Sequence, residues 1–179
     1  PLQLCLMTAH IANGGNKIEP KIIIDNKPLS FLEAKSIIEA QKLINPESQL
    51  VTNKKNLEIV QKAMFSSTNE IRGTSYRSRI DDPKYQFAGK TGTAQVKRIS
   101  KRERELDLEI DQIPYNDRDH ALYVAYGPYV NPRYALSIIV EHGGSGSKAA
   151  APMAKELFKL IIDREELRDK QSNFEETNI

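Results

Sequence analysis

Apolar residues recur at helical spacing over residues 2–13, at Leu2, Leu6 and Ala9 with Asn13 in the same row, and Asn13-Gly14-Gly15 closes the run. Ile22-Ile23-Ile24, inside 18–25, reads as a short strand stopped by Asp25-Asn26. Ser30 with Glu33 three positions on forms a capping box, which predicts a helix to about Ile44, ahead of Asn45-Pro46. Asn53 caps a further helix to about Ser67, with Ile59, Ala63 and Met64 on its apolar face. Gly73-Thr74 then breaks the pattern. Residues 85–96 read as a strand, 97–119 as a charged insertion, and His120–Pro128 and Tyr134–His142 as two strands turned by Asn131-Pro132-Arg133, an antiparallel hairpin. Ala149–Asp163 predicts a helix with Met153, Leu157, Leu160 and Ile161 facing inward, followed by a frayed polar tail. Helices, then strands, then a last helix are segregated along the chain. That order predicts an α+β fold with an antiparallel sheet flanked by helices.

Composition narrows the class. With 179 residues, 39% of them hydrophobic and 28% charged, the chain can build one core. It divides into one domain over 1–166 and a polar tail over 167–179. Net charge is +2, so no global field draws it to nucleic acid. The basic run Lys97-Arg98 to Arg104 turns acidic through Asp107, Glu109 and Asp111 and lacks interleaved aromatics. It reads as a solvated excursion placed to wall a cleft, not as a nucleic-acid surface. A single cysteine, Cys5, rules out an internal disulfide and reads as a small buried hydrophobe. His10, His120 and His142 are too scattered for a metal site. Neither metal nor cofactor is expected, and His142, at a Gly-Gly turn, is expected in a structural hydrogen bond. No apolar run spans a bilayer. The chain opens in mid-helix without an initiator methionine. It therefore reads as a piece of a longer protein, whose upstream part would carry an anchor, a signal or half of an active site.

Lys90-Thr91-Gly92-Thr93 carries the chemistry. A cation and two hydroxyls on one strand can hold a carboxylate through charge-assisted hydrogen bonds, and a glycine between them lets a peptide backbone approach. A peptide so held would add to the strand edge as a further strand. Lys-Thr-Gly alone is a weak signal, while Phe87-Ala-Gly-Lys90-Thr-Gly-Thr-Ala-Gln95 is far more specific.

That string resembles the third motif of the class B penicillin-binding transpeptidases. Pro1-Leu-Gln-Leu4 with Ala9–Gly15 resembles the helix after the family's second motif, and Gly73-Thr74 its Gly-Thr pair. Glu141–Gly146 with Ala149-Ala-Ala-Pro152 resembles its last strand and final helix. The order is the family's. The Gly-Thr-Ala-Gln ending and Tyr126-Gly-Pro-Tyr129 are most similar to the elongation-type class, penicillin-binding protein 2. The resemblance implies the C-terminal portion of the penicillin-binding-protein and serine β-lactamase-like fold. It implies a D,D-transpeptidase parent that cross-links peptidoglycan stem peptides by serine acyl transfer and is acylated by β-lactams. It also implies a periplasmic domain of a bacterial inner-membrane protein, with a membrane glycan polymerase of the elongation complex as a partner.

By the same resemblance Lys90 sets a positive potential, Thr91 and Thr93 hold the substrate carboxylate, and the Thr93 backbone N–H is half of an oxyanion hole. The family also needs Ser-x-x-Lys and Ser-x-Asn. Ser145-Gly-Ser-Lys148 and Ser67-Thr-Asn69 fit these patterns, but chance supplies about one match of each kind. The family places the nucleophile before Lys-Thr-Gly, so the true serine and lysine are expected upstream, and this chain alone is expected to be inactive. A bared sheet edge would let it self-associate. Two alternatives remain: a β-lactamase or D,D-carboxypeptidase fragment, and a non-catalytic cell-wall scaffold.

Overall fold

The computed structural model describes residues 1–20, 49–51, 53–98 and 108–177, with side chains described as far as Arg168. The strand expected at 22–24 and the helix expected from Ser30 lie outside the described residues. Three helices and three strands make the frame. They are α1 (Leu2–Ala12), α2 (Lys54–Asn69), β1 (Ala88–Ala94), β2 (His120–Gly127), β3 (Tyr134–Val140) and α3 (Ala151–Thr177). A wide π-type turn, Gly146–Ala150, leads into α3.

The strands form one antiparallel sheet in the order β1-β2-β3. The 134–140 strand returns from β2 as the sequence predicts, and the Arg133 N–H closes the loop onto the Gly127 carbonyl at 3.1 Å. Alternation along the strands sends two rows of side chains to opposite faces. Ala121, Tyr123 and Ala125 meet α3, and Ala88, Val124, Tyr126 and Ala135 meet α1 and α2. The sheet is thus covered on both faces, the α+β arrangement expected.

α2 starts where its cap predicts, with the Asn53 side chain accepting from the N–H groups of Lys55 and Asn56. Its buried stripe keeps only Met64 of the expected face. Leu57, Met64 and Thr68 face inward while Ile59 and Ala63 are exposed. α3 shows the same rotation. Ala151, Ala154, Phe158 and Ile162 are fully buried, whereas Met153 and Leu160 are 50% and 64% exposed. The sheet chooses between the stripes. Ala121, Ala125 and Gly127 leave a shallow surface onto which only alanines can settle closely, and the Phe158 ring then stacks on Phe87 at 4.9 Å. α3 also runs beyond the predicted end, to Thr177. On α1, Leu2 is exposed and Thr8 is the buried residue. Cys5 is half-buried and its thiol donates to the Ala135 carbonyl on β3 at 3.3 Å, so it bonds the sheet as well as filling space.

β1 is shorter than the predicted 85–96. Asp82-Pro83 starts a turn in which Asp82 accepts from the N–H groups of Lys84 and Tyr85, both at 3.0 Å, and that turn takes up the aromatic lead-in. Two ionic straps tie α3 down: Lys84 to Glu166 and Asp163, and Arg133 to the buried Glu165.

Candidate functional site: an edge strand carrying a lysine and two threonines

β1 ends the sheet, so among the described residues one of its edges pairs with no strand. Its first two residues are buried, and exposure begins at Lys90. Lys90 and Thr93 are exposed, with Thr91 and Gly92 half-buried. The expected grip is therefore at the surface and not in the packed interior.

Alternation puts Lys90 on the α2 face beside Val124 and puts Thr91 and Thr93 on the other face, opposite Tyr123 and Ala121. The lysine overcomes this separation by folding back. Its ammonium donates to the Thr91 carbonyl at 2.8 Å and lies 3.5 Å from the Thr91 hydroxyl. The Thr91 hydroxyl in turn meets Thr74 Oγ1 at 3.2 Å, and Thr74 meets Ser67 Oγ at 3.2 Å. Lysine, two threonines and a serine from three segments thus share one continuous chain of polar contacts. Sequence reasoning named Gly73-Thr74 by resemblance but did not place Thr74 on Thr91, and it weighed Ser67 only as part of a chance motif. The signal available was the breaker Gly73-Thr74, which turns the chain back over the end of α2 through the Ser75 N–H to the Ser67 carbonyl, 3.0 Å.

The other members of that weak Ser-x-Asn match are structural. Thr68 bonds the Tyr123 hydroxyl at 2.9 Å, and Asn69 Nδ2 donates to the carbonyls of Phe65 and Phe87, both at 3.0 Å, which fixes the entry to β1. Tyr123 also meets Ser75 Oγ at 3.0 Å. Burial pushes its phenol pKa up, with the two hydroxyl partners working against that shift. The ring crosses directly over Gly89, where a Cβ would lie 2.2 Å from the phenol oxygen. Tyr123→Phe is expected to cost about 1 kcal/mol, because two buried hydroxyls lose a partner. Urea unfolding measures this, and an unchanged midpoint would show that the hydroxyl cluster adds nothing.

Behind the grip, the Gly146 backbone rests on β1. A Cβ there would lie 2.3 Å from the Leu122 carbonyl oxygen and 2.7 Å from that of Gly92. This brings Ser145-Gly-Ser-Lys148 to the strand, yet not as a nucleophile and base. The Ser145 hydroxyl meets Ser147 Oγ at 3.0 Å, while Lys148 is exposed. His142 stands in structural bonds as expected: its N–H donates to His120 Nδ1 at 2.9 Å and its Nδ1 contacts the Arg118 carbonyl at 3.0 Å. His10 likewise accepts the Ile18 N–H at 3.0 Å.

On the α2 side, Lys90 and Thr74 border an open cleft of about 580 Å³ lined by Met7, Ile11, Val60 and Met64. A cation and hydroxyls beside apolar walls can bind an anion and seat an apolar neighbour, but no acyl-accepting nucleophile with its base stands at this edge among the described residues.

The model of the family described as penicillin binding protein transpeptidase domain matches residues 1–159. The chain is 28% identical over 163 residues to a protein of Salmonella typhimurium named peptidoglycan D,D-transpeptidase MrdA, covering 91% of this chain and 25% of that protein. Among solved structures, penicillin-binding protein PBP2 of Helicobacter pylori in complex with MreC is similar at 30% identity and a TM-score of 0.61. That match covers 89% of this chain and 25% of that one. Pseudomonas aeruginosa PBP2 in complex with WCK 5153 is similar at 28% identity and a TM-score of 0.59, over 89% of this chain and 30% of that one. The chain therefore spans about a quarter of the length of the curated relatives it matches. Strand order, motif and match agree, and the chain belongs to the penicillin-binding protein transpeptidase domain family.

Proposed function

We propose that this chain is the substrate-holding part of a serine D,D-transpeptidase that cross-links peptidoglycan stem peptides and is acylated by β-lactams. One observation carries the reading: an exposed lysine bonded to a half-buried threonine, Thr91, that meets Thr74, on the free edge strand of the sheet. Lys90, Thr91 and Thr93 hold the terminal carboxylate of the peptide. Gly92 lets its backbone lie along β1, and the Thr93 N–H polarises the scissile carbonyl. The nucleophilic serine and its lysine come from a preceding segment, which docks over the apolar cleft beside Lys90 and so completes the site. The names of the relatives support this reading, since they are called peptidoglycan D,D-transpeptidases.

The complete protein works on the periplasmic face of a bacterial inner membrane, where its substrate is assembled, and a membrane glycan polymerase supplies the strands it joins. The PBP2 relative solved with MreC supports protein partners for this family's members. Alone, the chain self-associates through its bared edge.

The chain by itself is expected to take no covalent label from a fluorescent penicillin. The same chain preceded by a Ser-x-x-Lys segment is expected to label with one equivalent. Labelling of the chain alone that disappears in Ser145→Ala would overturn the division of labour.

A further inference from the structure

The turn that follows β3 is latched to the start of β2. The His142 N–H donates to His120 Nδ1 at 2.9 Å, the His142 ring meets the Arg118 carbonyl through Nδ1 at 3.0 Å, and the Gly144 N–H donates to the Asp119 carbonyl at 2.8 Å. Each of the two ring nitrogens in use has one possible role. His120 Nδ1 faces a donor and so presents its lone pair, while His142 Nδ1 faces a carbonyl and so carries the proton. The two rings meet edge to face at 4.8 Å, and the Tyr115 ring lies 4.9 Å from His142. His142 holds φ at +56°, in the left-handed region that residues with a side chain seldom adopt. Such a backbone persists where its surroundings over-determine it, and here the latch does so.

Further along the same turn, Gly146 is seated on the sheet. A Cβ there would lie 2.3 Å from the Leu122 carbonyl oxygen, 2.7 Å from that of Gly92 and 3.1 Å from the Gly92 nitrogen, so the turn bears on the point where β1 and β2 pair at Gly92 and Leu122. The Gly92 carbonyl and the Thr93 N–H belong to one planar peptide unit. Whatever tilts that carbonyl swings the N–H with it.

We infer that His120 and His142 are positioning residues for acyl transfer: their latch sets the seat of Gly146 and thereby the direction in which the Thr93 N–H points. The inference rests on the oxyanion role proposed for that N–H. A donor of this kind works by being aimed before charge develops, so a small rotation of the peptide unit costs rate. The side chains of Lys90 and Thr91, which hold the carboxylate, are bonded to each other and to Thr74 and do not depend on the turn. Loosening the latch therefore slows the chemical step and spares binding.

The test uses the longer transpeptidase proposed to carry this chain, with His120→Asn and His120→Gln. Asparagine places its carbonyl oxygen where Nδ1 stands and accepts the His142 N–H. Glutamine reaches to the position of Nε2 instead and leaves that N–H without its acceptor. Both keep a polar side chain at a half-buried position, so both are expected to fold, and the total label taken up counts the folded enzyme. Stopped-flow labelling with a fluorescent penicillin separates the dissociation constant of the first complex from the rate constant of acylation. His120→Asn is expected to acylate within about twofold of the parent, and His120→Gln about tenfold more slowly with its dissociation constant unchanged. Equal acylation rate constants in the two variants, fast or slow, would overturn the latch, as would a loss carried by the dissociation constant alone. In either case a parent that labels normally leaves the proposed acyl transfer standing. A parent that takes no label would overturn that proposal and the latch together.

Discussion

Phe158→Ala is expected to destabilise the chain by about 4 kcal/mol, the range for emptying a buried aromatic site. The ring is fully buried, stacks on Phe87 at 4.9 Å and fills the space above Gly127, where a Cβ would lie 3.0 Å from it. Alanine would leave a void bounded by the sheet and by the rest of α3. The helix is held against collapse by Arg133–Glu165 and Lys84–Glu166, which pin it two turns further on. The matched control is Leu160→Ala. Leu160 lies two residues on and is 64% exposed, so its loss is expected to stay within about 0.5 kcal/mol. Urea unfolding followed by circular dichroism compares the two. Equal losses would mean that α3 sits on its other stripe, and the close backbone approach at Ala151 and Ala154 would then be wrong.

Lys90→Ala, made in the longer transpeptidase proposed to carry this strand, is expected to slow acylation by penicillin a hundredfold or more, about 3 kcal/mol of transition-state stabilisation. The ammonium is the one cation bonded to Thr91, at 2.8 Å from its carbonyl, among the contacts described for that residue. Removing it leaves the hydroxyl chain Thr91–Thr74–Ser67 without a positive end. Lys90→Arg keeps the charge but replaces a compact ammonium with a planar fork, so an intermediate rate is expected. Stopped-flow acylation kinetics separate the cases. A Lys90→Ala enzyme acylating at the parent rate would remove the lysine from the role proposed for it.

Much of this was legible in the chain itself. Asn53 announced the start of α2, and turn residues between two β-rich runs announced the β2–β3 hairpin, because caps and turns are decided by neighbouring atoms. The Lys90–Thr93 motif was legible because an edge strand needs few residues to make its chemistry visible. What the chain left open was which side of a helix faces inward. α2 and α3 each carry two apolar stripes, and periodicity weighs them by hydrophobicity alone. The sheet weighs them by fit, and Ala121, Ala125 and Gly127 favour the small-residue stripe over Met153 and Leu160. The Thr74–Thr91 contact was closed to sequence reasoning for a related reason, since it joins residues 17 apart through the geometry of a turn. Tyr85–Phe87 misled because aromatic content suits a strand, while Asp82-Pro83 committed the same residues to a turn.

The seat of Gly146 on Gly92 has a consequence for how this family can vary. Where two main chains lie directly against each other, no methyl can be trimmed or added to adjust the gap. The ordinary route by which proteins tune spacing is closed at the back of β1. A shift in the seating of the final helix reaches β1 through this contact, so a change on the helix is expected to alter the peptide grip proposed for that strand without touching a residue of the grip.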